Sequence, residues 1–419
     1  MTKPRSQETD VAKAWLVSKK RIPIEGVRLL PEENTYLPNH PLVSARGQAK
    51  AYYLRDESKR TWILKKFLPG RHPDAAYIKA IQALIPPCAG FESGYQRRVL
   101  SPASVAKKEL PSAEFPTWID NTILMPRVKG SDWAWLADKV RDGTIELKRE
   151  QRLLMCQNLN QKLSILEKND LSHRDLSSTN VFIDTNTWDV HLIDWDSLYH
   201  PSLSIPPSTT FGTNGYIAPF VRVNGSEDSR LTWRAGSDRF SLAILNVEFL
   251  TVERGSPVTG DGGLFDQDEI FRLKGTGING ITDRLKRNFP VAFQVFDKTL
   301  RAQSFAACPS PEEWMGIETT PTAPSLKDVY DPQTDFLKFL HRLQQRVEIP
   351  APKLSELEEP QYRRPPVKTT QDAGPPAPKL TDLQRLDLLE MLPAAQQTAP
   401  SAPRLADLDD PSIGMNNKQ

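Results

Sequence analysis

Residues 173–180 read His-Arg-Asp-Leu-Ser-Ser-Thr-Asn, and a second acidic stretch, Ile-Asp-Trp-Asp, follows at residues 193–196. An aspartate in the position of Asp175 can accept a proton from an attacking hydroxyl group and orient that group toward a phosphorus atom. Asn180 and Asp194 offer hard oxygen ligands, which suit Mg²⁺ bound to phosphates. A short hairpin predicted between the two stretches returns the chain, so that Asp194 lies beside Asn180. The spacing therefore predicts a phosphoryl-transfer site.

The first of these stretches resembles the catalytic loop of the protein kinase superfamily, H-R-D-L-x-x-x-N, at every defined position. Residues 212–220 resemble the end of a kinase activation segment, and residues 237–243 resemble the start of the central helix of the large lobe. The resemblance covers roughly residues 25–316. It implies an α+β fold with two lobes, a small β-rich N-terminal lobe and a mostly helical C-terminal lobe. The Ile-Asp-x-Asp-Ser form of residues 193–197 looks most like bacterial kinase-like proteins that can carry helix-hairpin-helix modules.

The resemblance assigns chemical roles to the two acidic stretches. It makes Asp175 the catalytic residue, with Arg174 beside it, and it makes Asn180 and Asp194 the ligands of Mg²⁺. Ser177 stands where serine/threonine kinases usually place a lysine. One positive charge near the transferred phosphate is therefore missing.

A lysine for the nucleotide phosphates is expected on an N-terminal strand. Lys65 follows the apolar residues 62–64 and occupies the position of the family's V-A-I-K lysine. On an alternating strand Lys65 points toward the α- and β-phosphates of ATP, whereas Lys66 faces the opposite side. The family pairs this lysine with a glutamate from a small-lobe helix. Glu92 is the expected partner, and Glu109 is the alternative.

Two further stretches are expected to contact ATP. Met125 to Val128 follows an apolar strand and resembles the hinge that binds adenine through backbone hydrogen bonds. Gly47 lies in residues 44–49, Ser-Ala-Arg-Gly-Gln-Ala, where the family has the loop G-x-G-x-x-G. Because one displaced glycine remains, bulkier side chains hinder a close approach of the backbone to phosphates. The sequence leaves the affinity for ATP open.

The activation segment contains several hydroxyl side chains. Ser208, Thr209 and Thr210 are placed to receive a phosphate that pairs with Arg174, and a polar loop without this modification is the alternative. Thr213 is expected to position the catalytic aspartate and the substrate rather than to become phosphorylated.

Other residues in the pattern are expected to be structural. The resemblance makes His173 structural and makes Asp238 the cap of the catalytic-loop backbone. Phe220 replaces the glutamate of the family's A-P-E, and Cys308 replaces the arginine that pairs with it, so we predict an apolar contact between Phe220 and Cys308. Residues 195–196, Trp-Asp, replace Phe-Gly. Loss of the flexible glycine predicts a metal-binding segment that flips less easily.

The hydrophobic pattern predicts strands in the first part of the chain and helices in the second. The predicted strands are residues 49–54, 60–67, 116–120, 121–128, 181–184 and 190–193, and the predicted helices are residues 149–169 and 238–250.

The resemblance, together with a sharp change of composition after about residue 316, implies four parts of the chain. They are an N-terminal extension (1–24), the small lobe and hinge (25–128), the large lobe (129–316) and a Pro-rich tail (317–419). The tail is too poor in apolar residues to offset its chain entropy, which predicts disorder over most of its length. Within it, the pattern A-P-[KR]-L-x-[DE]-L occurs at residues 351–357, 377–383 and 402–408. The repeats are either docking peptides for a protein partner or compositional drift.

The bulk composition excludes several classes of protein. A formal net charge of +2 argues against a dedicated nucleic-acid or membrane surface. Cys88, Cys156 and Cys308 form no C-x-x-C pair, which argues against a disulfide framework and a zinc site. The sequence also has no signal-peptide pattern and no run of about eighteen apolar residues. These features predict a cytoplasmic protein without membrane or nucleic-acid partners.

The combined pattern predicts an ATP- and Mg²⁺-dependent kinase that phosphorylates Ser or Thr hydroxyls of a protein substrate and also phosphorylates itself. Two alternatives stay open. The degenerate glycine loop is compatible with a pseudokinase that serves as a binding or scaffold module. The missing lysine at position 177 is compatible with a small-molecule phosphotransferase.

Overall fold

The computed structural model describes residues 6–46, 48–70, 74–106, 109–205, 212–223, 226–227, 229–257, 263–273 and 275–318. The chain divides into two units, Met1–Val329 and Tyr330–Gln419. The second unit, with the three repeats, lies outside the described residues. Gly47, Ser208, Thr209 and Thr210 also lie outside them.

A seven-stranded antiparallel sheet forms the N-terminal part of the first unit. Its elements, with the helices between them, are α1 (Ser6–Ser18), β1 (Ile22–Ile24), β2 (Val27–Pro31), β3 (Val43–Arg46), β4 (Ala49–Arg55), β5 (Thr61–Phe67), α2 (Ala75–Leu84), α3 (Glu92–Tyr95), β6 (Arg98–Val99), α4 (Phe115–Ile119) and β7 (Ile123–Pro126). The strand order is β1-β2-β4-β5-β7-β6, and β3 pairs with β4. The predicted hairpin of residues 49–54 and 60–67 is confirmed as β4 and β5.

Strand β5 is central in this sheet, and its two faces differ in environment. Trp62 and Leu64 are buried on one face, as the alternation of a half-buried strand requires. Lys65 has the opposite orientation and pairs in register with Ala51 on β4 and Ile123 on β7. The backbone of Lys65 is therefore held from both sides.

Helix α1 packs against the sheet and contributes to the hydrophobic core on that face. Val11, Ala12 and Trp15 are buried, and the ring of Trp15 packs edge-on against Phe115 at 5.1 Å. The residues predicted as an N-terminal extension thus include helix α1, which packs against this sheet, and strand β1, which is part of it.

Helices dominate the remainder of the first unit. The elements are β8 (Ser131–Asp132), α5 (Trp133–Arg141), α6 (Arg149–Lys168), β9 (Val181–Asp184), β10 (Asp189–Leu192), β11 (Arg222–Val223), β12 (Ser226–Glu227), α7 (Arg239–Thr251), α8 (Gln267–Arg272), α9 (Thr276–Asn288), α10 (Pro290–Arg301) and α11 (Pro311–Met315). Strands β10, β9 and β8 form a small sheet. The predicted helices α6 and α7 and the predicted hairpin β9–β10 are confirmed. The molecule is therefore a mixed α/β protein with its large sheet near the N-terminus and most of its helices after it.

Helices α6 and α7 are the centre of the helical part. Leu159 and Leu163 of α6 are buried, and Phe240 to Thr251 of α7 is buried almost throughout. The side-chain amides of Asn160 and Asn246 bond to each other across the two helices, with a shorter contact of 2.8 Å, which satisfies polar groups in a fully buried position. This pairing joins α6 to α7 in the buried core.

One predicted strand is wrong. Residues 116–120 were predicted to be extended, but they lie mainly in helix α4. Pro116 is in the first turn of the helix, where its missing N–H is tolerated. Phe115, Trp118 and Ile119 are buried at helical spacing. In the part of the chain that the structure describes, no helix is long and apolar enough to cross a lipid bilayer.

Candidate active site

The loop of residues 173–180 is fixed by a carboxylate from the start of α7. Asp238 accepts hydrogen bonds from the backbone N–H groups of His173 and Arg174, at 2.5 and 2.7 Å. Nε2 of His173 donates to the carbonyl oxygen of Ile193 at 2.8 Å, which links the loop to the second acidic stretch. Asp238 and His173 therefore tie this loop to the start of α7 and to residue 193.

Asp175, Asn180 and Asp194 lie in one site. The amide nitrogen of Asn180 donates to the backbone oxygen of Asp175 at 2.7 Å, and the N–H of Ile193 donates to the backbone oxygen of Asn180 at 3.0 Å. Asp194 has a left-handed backbone with φ of 64°, which directs its side chain away from the regular path of β10. The hairpin thus returns the chain as predicted.

The carboxylate of Asp175 accepts a hydrogen bond from the hydroxyl of Thr213 at 3.0 Å. Burial raises the pKa of Asp175, and the nearby negative charge of Asp194 raises it further. A raised pKa makes a carboxylate a better proton acceptor. The structure therefore brings the hydroxyl of Thr213 to the carboxylate of Asp175.

Lys65 reaches the same site from the sheet. Its ammonium group lies 2.5 Å from Oδ1 of Asp194 and 2.5 Å from Oδ2 of Asp196. Burial by itself lowers the pKa of Lys65, but the two carboxylates outweigh that effect and the pKa is raised. Lys66 points the other way, and its ammonium donates to the backbone oxygen of Trp118 at 2.7 Å.

The prediction that Glu92 pairs with Lys65 is wrong. Glu92 accepts hydrogen bonds from the backbone N–H of Gly90 at 2.9 and 3.1 Å and lies 3.5 Å from Nδ1 of His191. Glu109 lies 3.3 Å from Arg28. Helix α3 has four residues, and the first-turn carboxylate of Glu92 bonds to the backbone that precedes its own helix.

Asp196 takes the position at Lys65 that the sequence predicted for a glutamate. Its other oxygen, Oδ1, accepts a hydrogen bond from the guanidinium of Arg97. The two cations outweigh the effect of burial and lower the pKa of Asp196. Sequence reasoning noted Asp196 for the loss of a glycine. The signal in the sequence that could have identified Asp196 is an additional carboxylate two residues after Asp194, the predicted metal ligand.

Trp195 lies between Asp194 and Asp196 in the sequence, and its side chain is fixed by several contacts. Its indole N–H donates to the hydroxyl of Ser93 at 3.1 Å, and that hydroxyl donates to the backbone oxygen of Leu192 at 2.8 Å. The indole ring also packs edge-on against Phe91 at 5.1 Å and lies 5.0 Å from the ring of His173. These contacts fix the buried indole between Asp194 and Asp196.

The side chain of Arg174 is buried, and its guanidinium donates hydrogen bonds to neighbouring oxygen atoms. Its guanidinium donates to the backbone oxygen of Thr232 at 3.0 Å, to the hydroxyl of Thr232 at 2.8 Å and to the backbone oxygen of Ser197 at 3.2 Å. It also lies over the ring of Trp233 at 4.7 Å. Burial lowers the pKa of Arg174 to about 10. The predicted pairing of Arg174 with a phosphate lies outside the described residues.

Met125, predicted with Val128 to be part of a nucleotide-binding hinge, lies beside the strand of Lys65. Met125 on β7 pairs in register with Ile63 on β5. The backbone N–H of Arg127 donates to Thr61 at 3.1 Å, which keeps the chain against β5 up to the residue before Val128. The binding of adenine by this stretch stays a prediction.

Residues 215–217, predicted to lie at the end of an activation segment, are attached to α7 and α8. Tyr216 donates its hydroxyl hydrogen to the carboxylate of Glu248, with oxygen separations of 2.9 and 3.0 Å. The side chain of Gln267 accepts from the N–H of Gly215 at 2.7 Å and donates to the carbonyl of Ile217 at 2.9 Å. Sequence reasoning missed Glu248 and Gln267, because neither lies in a motif.

Phe220 packs edge-on against Phe305, with ring centroids 4.8 Å apart. Cys308 is buried in the same apolar cluster, and its backbone oxygen accepts a hydrogen bond from Arg239 at 3.4 Å. Burial raises the pKa of the Cys308 thiol to about 12. An apolar environment thus surrounds the two substituted positions, and the direct contact of Phe220 with Cys308 stays a prediction.

The donor groups at the site suit Mg²⁺ better than a transition metal. Asp194 offers carboxylate oxygens, and Asn180 offers an amide oxygen. In the described ranges, no group of three or more His, Cys, Asp or Glu side chains is arranged to hold a metal ion. Mg²⁺ typically takes one or two carboxylates and completes its shell with water and substrate phosphates, so the residues present fit it.

Comparison with known proteins gives one limited similarity. No protein-family model matches the chain. A probable serine/threonine-protein kinase of Dictyostelium discoideum is 25% identical over 136 residues. The matched region is 32% of this chain and 14% of that protein, so the chain covers a small fraction of the relative's length. The similarity gives weak support to kinase activity and does not show the family.

Proposed function

We propose that this chain is an ATP- and Mg²⁺-dependent kinase that transfers the γ-phosphate to Ser or Thr hydroxyls of a protein. The proposal rests on the contact of the Lys65 ammonium with the carboxylate of Asp194, two residues that are 129 positions apart in the chain. This contact lies beside the loop of Asp175. A cation, a metal-binding carboxylate and a proton acceptor thus occupy one site. Phosphoryl transfer needs these groups, because its catalysis is mostly positioning and charge stabilisation.

Each residue has a distinct part in this proposal. Asp175 accepts the proton of the substrate hydroxyl and orients its oxygen, with Thr213 fixing the carboxylate. Lys65 contacts the α- and β-phosphates. Asp194 and Asn180 hold Mg²⁺, which, when bound, neutralises charge on the β- and γ-phosphates.

The attachment of residues 212–220 supports a protein substrate. Tyr216 and Gln267 anchor this segment to α7 and α8, immediately after the Thr213 hydroxyl that contacts Asp175. A segment held in this way gives an extended peptide a defined surface next to the proton acceptor.

The test is incubation of the full chain with γ-labelled ATP and Mg²⁺, with and without a generic protein substrate, followed by mapping of the phosphorylated residues. We expect label on Ser or Thr residues of the wild-type chain or of the substrate. Asp175→Asn removes the proton acceptor with little change of shape, and we expect it to reduce the label by about a hundredfold or more.

The matched control is Asp189→Asn, an exposed aspartate on β10. This variant should label like the wild type, since Asp189 lies away from the proton acceptor. Label that persists in Asp175→Asn would come from another enzyme and contradict the proposal. Binding of ATP by the wild type with no transfer would instead favour a pseudokinase, and transfer restricted to small hydroxyl compounds would favour a small-molecule phosphotransferase.

A further inference from the structure

Asp196 faces two different cations with its two carboxylate oxygens. Oδ2 accepts a hydrogen bond from Lys65 at 2.5 Å, and Oδ1 accepts one from Arg97. The exposed fractions of the three side chains are 15% for Asp196, 14% for Lys65 and 2% for Arg97. Hydrogen bonds between charged groups are short and strong, and more so where water is excluded. Asp196 is therefore a fixed point to which the ammonium of Lys65 is tied.

The charges of this cluster balance in the described structure. Lys65 and Arg97 contribute two positive charges, and Asp194 and Asp196 contribute two negative charges. If Asp194 binds Mg²⁺, Lys65 still has Asp196 as its carboxylate partner. Without Asp196, the contact of Lys65 with Asp194 would compete with the metal for the same carboxylate.

The support of Asp196 comes from its own turn and from the residues after α3. Trp195, its neighbour, is hydrogen bonded to Ser93 and packed against Phe91. Arg97 is almost completely buried directly before β6. These contacts hold the carboxylate of Asp196 in place independently of nucleotide.

We propose that Asp196 is the positioning residue that holds Lys65 toward the nucleotide phosphates, in place of a glutamate from a helix. The inference rests on the proposed function. It has a structural consequence: because Asp194 and Asp196 lie in one turn, the metal ligand and the anchor of the lysine move together. Loss of this turn would remove both at once.

The first measurement is the affinity for ATP with and without Mg²⁺, by titration calorimetry, in wild type and in Asp196→Asn. We expect ATP to bind roughly tenfold more weakly to the variant, since a charged hydrogen bond to Lys65 becomes a neutral one. In steady-state assays the KM for ATP should rise by a larger factor than kcat falls, because Asp196 acts on binding through Lys65. Asp196→Glu keeps the charge and should recover part of the affinity.

A double-mutant cycle separates positioning from general damage. Lys65→Met removes the group on which Asp196 acts, so Asp196→Asn in that background should change the affinity for ATP by less than about twofold. Additive losses would show that Asp196 acts independently of Lys65, and they would overturn the inference. Equal affinities of the wild type and Asp196→Asn would overturn it as well.

The folding of the variants is followed by circular dichroism and thermal unfolding. Asp196→Asn leaves the buried charge of Arg97 opposite a neutral amide, which can destabilise the fold. If this single variant does not fold, the double variant Arg97→Gln/Asp196→Asn takes its place, because it pairs two uncharged amides. Arg97→Gln alone is the reference for this double variant, and Asp189→Asn, at an exposed position on β10, is the control that leaves the cluster of Lys65, Asp196 and Arg97 unchanged.

The outcomes distinguish this inference from the proposed function. Binding of ATP without phosphate transfer, with the coupling of Lys65 and Asp196 intact, rejects the proposed function and supports the positioning role. Transfer by the wild type with no coupling rejects the positioning role alone. Absence of ATP binding by the wild type rejects both.

Discussion

Asp238 fixes the loop of residues 173–180 from a position 65 residues after His173. Both carboxylate oxygens accept backbone N–H groups of the loop, and the side chain is almost fully buried. Burial raises the pKa of Asp238, and the two backbone hydrogen bonds partly oppose this rise. The backbone of Arg174 has a left-handed conformation with φ of 67°, which the hydrogen bond to Asp238 helps to hold.

We expect Asp238→Ala to lower the free energy of unfolding by about 2–5 kcal/mol, because it leaves two buried N–H groups without an acceptor. Asp238→Asn keeps one acceptor oxygen and should cost about half as much. Urea denaturation followed by circular dichroism measures both. Asp297→Ala is the control: it breaks a surface ion pair with Arg301 and should cost less than about 1 kcal/mol. Equal stability of Asp238→Ala and wild type would show that water satisfies the freed groups.

At the scale of single elements, residues 215–217 depend on a side chain of helix α8. Gln267 in α8 bonds to Gly215 and Ile217. We expect Gln267→Ala to reduce the hydrogen-exchange protection of the Gly215 amide by roughly tenfold, the effect of one lost hydrogen bond. Mass spectrometry of peptides that cover residues 212–220 measures it. Gln303→Ala, which removes a long 3.5 Å contact at an exposed site, should leave that protection unchanged. Unchanged exchange in Gln267→Ala would show that the segment is held by other contacts.

Elements with strong periodicity were predictable, and elements whose form depends on tertiary packing were less so. The hairpin of β4 and β5 and helices α6 and α7 follow the apolar spacing of their sequences. Helix α4 was read as a strand because a five-residue element shows barely one helical turn. Its form is decided by the packing of Phe115 and Trp118 against Trp15 and Tyr52, which periodicity within five residues cannot show.

The candidate site was predictable to the extent that its residues are neighbours in sequence. Asp175 and Asn180 lie in one loop, so local spacing places them together. The partner of Lys65 depends on which carboxylate the whole fold brings near, and the structure brings Asp196 where the sequence suggested Glu92. Arg97 carries no motif, and it becomes informative only once its burial and its contact with Asp196 are known.

At the scale of the whole molecule, Glu248 joins four separate parts of the fold. It is buried in α7 and accepts hydrogen bonds from Tyr216, from the indole of Trp133 at 2.9 Å and from the backbone of Leu264 at 3.0 Å. Burial raises the pKa of Glu248 to about 7, and the hydrogen bonds and the charge of Arg141 offset part of the effect. A carboxyl group whose pKa is raised by folding binds its proton more tightly in the folded state than in the unfolded state.

The stability that this proton contributes is present in full below the unfolded pKa of 4.5 and is lost as the pH rises through about 7. The difference of the two pKa values corresponds to about 3 kcal/mol, and other titrating groups add their own slopes. We therefore expect the free energy of unfolding of wild type to fall with pH relative to Glu248→Gln, which has no proton to lose. Urea denaturation of both proteins at steps of pH between 5 and 8 measures the difference. Tyr216→Phe removes a hydrogen bond that favours the charged form, so its loss of stability should extend to higher pH. Parallel curves for wild type and Glu248→Gln would show that Glu248 stays charged across the range, held by its hydrogen bonds and by Arg141.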